Sequence, residues 1–144
     1  MLSKRAFYIL SFTWGLPLVL AGLTIAAVLI LLGKKPKKYG WCWYFELGEN
    51  WGGCELGLIF ITCRQGGEHI KAHEFGHAIQ NCRYGFLMPF LVNMPSTLRY
   101  WQRRIFTALG LKLKTDYDDI WFEGQATQLG KAYIAEIRKG SEIC

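Results

Sequence analysis

Residues 68–85, EHIKAHEFGHAIQNCRYG, decide how the centre of this chain folds. Glu68 places an acid where the first turn of a helix favours one, and Gly85 stands where a left-handed cap commonly ends a helix. Apolar side chains recur along one face of this stretch at helical spacing, at Ala72, Phe75, Ile79 and Cys82. The sequence therefore predicts an amphipathic helix from about Glu68 to Tyr84 with one face in the core.

The other face of this helix carries the motif HExxH. His73 and His77 are four residues apart, so their imidazoles stand one above the other and can close on a single metal ion. Glu74 lies about a quarter turn away, where its carboxylate can take a proton from water bound to zinc. His69 continues the same face, but three ligands on one straight helix cannot surround a tetrahedral ion. We expect His69 to be either a neighbour of the site or an exposed residue.

A third ligand must come from another segment. The metzincin extension is excluded because Gln80 and Arg83 occupy the places of its glycine and histidine. Glu123 is the best candidate, within the stretch 120–130, IWFEGQATQLG. Its helical face also carries Asp116, Asp119, Ala126, Thr127 and Gly130. Small residues let two helices approach closely, and an acid buried there needs a partner such as a metal.

Together these segments resemble the gluzincin plan of thermolysin-like and minimal gluzincin peptidases. The resemblance covers roughly residues 56–130 and implies an α+β, zincin-like domain in which His73, His77 and Glu123 bind Zn2+. It also implies that Glu74 is the catalytic base of a zinc metallopeptidase. This chain departs from the plan at Thr127, where thermolysin-like enzymes have an aspartate bonded to a zinc histidine. We expect Thr127, together with Asp119, to support the ligands instead.

No histidine follows His77 to stabilise the oxyanion of the transition state, as thermolysin-like enzymes require. Tyr117 is our first candidate for that role, and Tyr100 and Arg99 remain open.

The segments before the helix predict two strands, Gly40 to Phe45 and Leu56 to Thr62, joined by the glycine-rich loop 48–53. In the family that this chain resembles, the strand before the active helix is a sheet edge that holds an extended substrate. The resemblance thus implies a peptide or protein substrate bound along Leu56 to Thr62.

The N-terminal part predicts a membrane anchor. Residues 6–33 contain no charged side chain, and as a helix they would extend over about 42 Å, beyond the ~30 Å hydrocarbon core of a bilayer. Pro17 suits a first helical turn, so the predicted span is Leu16 to Leu32. A secretory signal peptide is the competing interpretation, but the apolar run is too long and a basic cluster follows it. We predict an anchor over residues 1–38 and a metallohydrolase domain over residues 39–144.

The net charge of +6 belongs entirely to the anchor. From Tyr39 onward eleven basic residues balance eleven acidic ones, which argues against nucleic-acid binding. Basic residues at both ends of the predicted single span slightly favour a cytoplasmic C-terminal domain.

The segment from Ser96 to about Leu109 is amphipathic and basic, as in either a membrane-surface helix or an ordinary surface helix. The five cysteines do not form a disulfide pattern.

Two further classes of protein remain open. Peptide deformylases combine HExxH with an upstream cysteine ligand, which here would be Cys54, although their aspartate before the second histidine is replaced by Gly76. The other class is a small non-enzymatic membrane protein with a structural or degenerate zinc site. Glu74 separates this class from an enzyme, because a structural zinc site needs no unliganded acid beside it.

Overall fold

The computed structural model describes residues 1–111 and 120–142. They form an α+β fold of five α-helices and one small mixed sheet, which confirms the α+β class, while the zincin-like character of the domain stays a prediction. The helices are α1 (Lys4–Phe12), α2 (Leu16–Leu31), α3 (Glu68–Tyr84), α4 (Met94–Ala108) and α5 (Trp121–Glu142). The strands are β1 (Lys37–Tyr39), β2 (Cys42–Glu46), β3 (Gly53–Leu56) and β4 (Ile59–Thr62). A 3-10 turn (Gly85–Leu87) and a π-helical turn (Pro89–Asn93) connect α3 to α4.

The sheet has the strand order β1-β2-β4-β3. β4 is internal, since it pairs with β2 in parallel and with β3 in antiparallel orientation. The prediction of one strand from Leu56 to Thr62 is therefore wrong. Gly57 adopts a left-handed φ of 76° and reverses the chain there, and a side chain at this position would meet Val19 of α2 at 2.6 Å.

Helices cover both faces of the sheet. Tyr44 and Phe60 point towards α3, while Phe45 and Ile59 point towards α2, as the alternation of side chains along a strand requires. Phe7 of α1 is fully buried in the same cluster as the α3 side chains. Residues 1–38 thus contribute to the same hydrophobic core as the rest of the chain.

α2 is covered along one side only. Gly22 and Ala26 lie on its sheet side, whereas Leu20, Val28 and Leu31 are exposed on the other. In the described part of the chain no single helix is both long and apolar enough to cross a membrane; α1 and α2, bent by 89° at their junction, satisfy that test only as a pair, by length and composition. The single-pass anchor and its orientation remain predictions.

α3 follows its prediction from Glu68 to Tyr84, and Gly85 caps it with a positive φ of 54°. α3 packs most extensively against α5, and two glycines allow the two helices to approach closely. A Cβ on Gly76 would lie 1.9 Å from the carbonyl oxygen of Ala126, and one on Gly130 would lie 1.7 Å from that of Ala72. This close crossing brings Glu123 under the histidines of α3.

Candidate metal centre

Three ligand atoms from α3 and α5 converge on one point. Nε2 of His73 and Nε2 of His77 lie 3.0 and 3.2 Å from Oε2 of Glu123, and the two nitrogens lie 3.1 Å apart. A tetrahedral zinc ion with bonds of about 2.0–2.1 Å would separate its ligand atoms by about 3.3 Å. The three predicted ligands are thus together, and they form a buried group that can hold a metal ion.

Gln80 determines which nitrogen of His77 faces this point. The amide nitrogen of Gln80 donates to the carbonyl oxygen of Phe122 at 2.8 Å, which orients its side-chain oxygen towards Nδ1 of His77 at 2.7 Å. An oxygen accepts, so Nδ1 is the donor and Nε2 faces Glu123, as a donor when the ring is protonated and with a lone pair for a metal ion when the ring is neutral. That lone pair and the carboxylate of Glu123 face each other at contact distance, an arrangement that a cation stabilises. Sequence reasoning missed this role of Gln80, although its position one turn after His77 was a signal.

Thr127 supports the other histidine. Its Oγ1 lies 2.8 Å from Nδ1 of His73, in contact with a predicted metal ligand as we expected from the sequence. Partners of this kind orient a metal-binding imidazole and tune its basicity. Asp119, the second predicted supporting residue, lies outside the described residues.

The carboxylate of Glu123 is fully buried and charged. Burial alone would raise its pKa, but hydrogen bonds from His73 and His77 outweigh that effect and hold the pKa well below its usual range. The Ser96 side chain also lowers this pKa, while the second oxygen, Oε1, is buried and makes no hydrogen bond of standard geometry among the residues that the structure describes. A buried carboxylate with one orphaned oxygen fits a metal ligand.

Glu74 stands beside the ligand group and lines the adjoining cavity. Burial raises the pKa of Glu74 to about 7; His73 lowers it and the charge of Glu123 raises it. A carboxyl group with a pKa near neutrality suits proton transfer at physiological pH. Gly53 of β3 provides the space for this side chain, because a Cβ there would lie 2.4 Å from Oε1 of Glu74.

The cavity in front of these groups measures about 210 Å³. β3 forms one wall, the beginning of α4 another, and the side chains of His73, Glu74 and His77 on α3 a third. Because β4 is paired on both sides, the predicted substrate edge along Leu56 to Thr62 is wrong, and the edge strand beside the cavity is β3. A glycine within a strand often marks the close approach of another group, so Gly53 could have indicated that a side chain such as Glu74 packs against this strand.

Glu55 of β3 is a buried acid that sequence reasoning did not single out. It lines the cavity and is only 3% exposed. Its Oε1 accepts a hydrogen bond from the backbone N–H of Gly57, and Oε2 has no partner within the described residues. Burial raises the pKa of Glu55 well above its ordinary value; the Gly57 bond lowers it and the charge of Glu74 raises it.

The remaining predicted residues separate into those at the cavity and those away from it. Tyr100 of α4 lines the cavity, whereas Arg99 lies in a different surface depression and Tyr117 is outside the described residues. His69 is exposed, as one of our two expectations had it. Cys54 lines the cavity as a free thiol but is not a member of the potential metal-binding group.

Comparisons with protein-family models, with curated proteins and with solved structures gave no match for this chain. The function therefore has to be argued from the geometry of the site itself.

Proposed function

We propose that this chain is a zinc metallopeptidase with a zincin-like fold and a gluzincin ligand set of His73, His77 and Glu123. The observation that carries the proposal is the buried Glu74 carboxyl beside three converging ligand atoms, at a cavity bordered by an edge strand. Two imidazoles and one carboxylate are one of the ligand sets of catalytic zinc sites, which keep a fourth position open. Zinc bound there would supply Lewis-acid activation of water and of the substrate carbonyl.

Glu74 is the general base in this proposal. Its carboxylate accepts the proton of the attacking water and then delivers that proton to the nitrogen of the leaving amine. Its position off the ligand group leaves both oxygens available for proton transfer. Gln80 and Thr127 hold the two imidazoles with their Nε2 atoms directed at the same point.

β3 binds the substrate backbone. An extended peptide can add to an unpaired strand edge through main-chain hydrogen bonds, largely independent of its side chains. β3 pairs with β4 on one side, and its residues Gly53 and Glu55 line the cavity. The carbonyl oxygen of Glu55 accepts from the side-chain nitrogen of Asn93 at 3.3 Å, a bond that a peptide at this edge would replace. A peptide along this edge would pass directly in front of Glu74.

Tyr100 is the group we assign to the oxyanion. Tyr100 lines the cavity from the α4 side, and its hydroxyl is the donor that we assign to this role. A donor directed at the developing negative charge lowers the barrier of the chemical step.

The test is the zinc content and peptidase activity of the purified full chain in detergent. Glu74→Gln should keep one zinc per chain and lose hydrolysis of a mixed peptide library, because the ligands are intact and the base is absent. Glu123→Ala should lose zinc and activity together. Glu49→Gln, an exposed acid away from the cavity, is the matched control and should change neither. A wild type that binds no zinc, or an active Glu74→Gln variant, would contradict the proposal.

The same variants separate the alternative classes. A structural zinc site would give a wild type that holds zinc and cleaves nothing. A deformylase-like site would lose zinc in Cys54→Ser and keep it in Glu123→Gln, the reverse of our expectation.

A further inference from the structure

α4 presents an apolar stripe that nothing covers within the described residues. None of its fifteen residues is buried. The stripe follows one helical face, and its members are between 51% and 67% exposed: Met94, Leu98, Trp101, Ile105 and Leu109. Their spacing of four, three, four and four residues is that of a helix face packed against an apolar medium.

The charged side chains of the segment that carries the stripe are all basic. Residues 85–111 contain no acidic side chain, and their three charged residues are Arg99, Arg103 and Arg104. A helix with Trp and Leu on one face, arginines beside it and no acid is typical of helices that lie in the interface of a bilayer with anionic lipids. This complementarity favours a lipid surface over a protein partner.

Exposed apolar side chains also lie outside α4, on the turns that precede it and on α2. Trp14, just before α2, packs edge-on against Phe86 with ring centroids 4.6 Å apart, and both rings remain partly exposed. Phe90, which lies between Phe86 and α4 along the chain, is 63% exposed. The outer side of α2 carries no charge and exposes leucine, isoleucine and valine. So many large exposed apolar side chains on α2, α4 and the turns before α4 are typical of surfaces that bind a membrane or a partner.

We propose that this surface, the outer side of α2 and the α4 stripe, lies in a bilayer containing anionic lipid, and that the enzyme cleaves polypeptides held at that bilayer. The substrate part rests on the proposed peptidase function. Its geometric basis is α4 itself: one face carries the stripe, and another supplies Ser96, Thr97 and Tyr100 to the wall of the cavity. The same helix therefore contacts lipid and borders the cleft, which opens at the membrane surface.

Docking is tested by brominated lipids, which quench tryptophans that touch acyl chains. Full chain is reconstituted in vesicles of brominated phosphatidylcholine and phosphatidylglycerol. Trp101→Phe should lower the quenched fraction of the emission, because it removes a lipid-facing ring. Trp41→Phe removes a ring packed against Phe7 and Phe75, so the quenched fraction should rise. A Trp101→Phe variant with unchanged quenching would overturn the docking surface.

Substrate presentation is tested with one peptide sequence, either free or attached to a lipid in the same vesicles. Leu98→Glu with Ile105→Glu should reduce cleavage of the anchored peptide at least tenfold and leave the free peptide within twofold. The matched control, Gln128→Glu with Ala135→Glu, adds the same charges at the same spacing on exposed positions of α5 and should alter neither. Equal loss on both peptides, or no loss, would overturn the substrate class.

Two other outcomes are informative. A dimer in detergent that Leu98→Glu with Ile105→Glu dissociates would identify a second copy as the occupant and overturn the proposal. Quenching does not depend on activity and can also be read in Glu74→Gln. If no variant cleaves any peptide while Trp101 is quenched, the peptidase function fails and the docking surface stands.

Discussion

The side-chain oxygen of Gln80 lies 2.7 Å from Nδ1 of His77, while the nitrogen of the same carboxamide is bound to α5 at the carbonyl of Phe122. One buried side chain thus orients a ligand of α3 and ties that helix to the helix that carries the third ligand. The geometry of the metal group and the packing of α3 on α5 are therefore linked, and a change in one affects the other.

Gln80→Leu should weaken zinc binding about 10- to 100-fold, the usual cost of removing a partner of a metal-binding imidazole. Leucine has a similar size but cannot accept from Nδ1, so the tautomer and orientation of His77 are no longer determined. Competition with a zinc-sensitive chelating dye measures the affinity. Gln128→Leu, exposed on α5, is the control, and equal affinity in the two variants would show that Gln80 has no such role.

Gly130→Ala should destabilise the fold and reduce zinc binding, because its Cβ would meet the backbone of Ala72, which cannot move without separating α3 from α5. Overpacking of this kind typically costs about 1–3 kcal/mol. Gly140→Ala in the same helix has no atom within 4 Å of the new Cβ and should stabilise by about 0.5–1 kcal/mol. Thermal unfolding in detergent compares the two, and effects of the same sign would refute the close-contact explanation.

Gly53→Ala should keep zinc and lower the turnover rate about 100-fold, the order of loss that a displacement of about 1 Å produces at a reacting group. The new methyl group would occupy the position of the Glu74 carboxylate, whose flexible end must then turn away. Gly52→Ala is the control from the neighbouring position, where nothing lies within 4 Å. Steady-state kinetics with metal analysis would contradict us if both variants retained full activity.

How far the sequence predicts this molecule depends on the range of the interactions involved. The limits of α3 and the grouping of His73, His77 and Glu123 followed from local periodicity and from the chemistry of a buried acid. The hairpin at Gly57 did not, because an apolar run of strand-forming residues looks the same whether or not it reverses. Neither did the packing of α2 against the sheet, since an uncharged helix fits a membrane and a protein surface equally well.

Tyr100→Phe should reduce kcat by about 100-fold or more with little change in KM or zinc content, as expected for a donor that acts on the transition state. The phenyl ring is retained, so the wall of the cavity keeps its shape. Tyr8→Phe is the control, since it removes a hydroxyl bonded to the carbonyl of Trp41, away from the cavity. An unchanged kcat would exclude Tyr100 and direct attention to Tyr117.

Glu55 makes the stability of the fold depend on pH. Burial raises its pKa above that of the unfolded chain, so the folded state holds a proton that the unfolded state releases above about pH 4.5. The stabilisation of the folded state by this proton is complete below that pH. It is lost as the pH rises towards the pKa of Glu55 in the folded state, at about 1.4 kcal/mol per pH unit. Glu55→Gln keeps an acceptor for the N–H of Gly57 and cannot ionise, so its advantage in unfolding free energy over the wild type should grow from pH 5 to pH 7. Glu49→Gln, at an exposed position, should show no such trend in denaturant titrations in detergent. A difference between Glu55→Gln and wild type that stays constant with pH would mean that the Glu55 carboxyl does not hold this proton in the folded state.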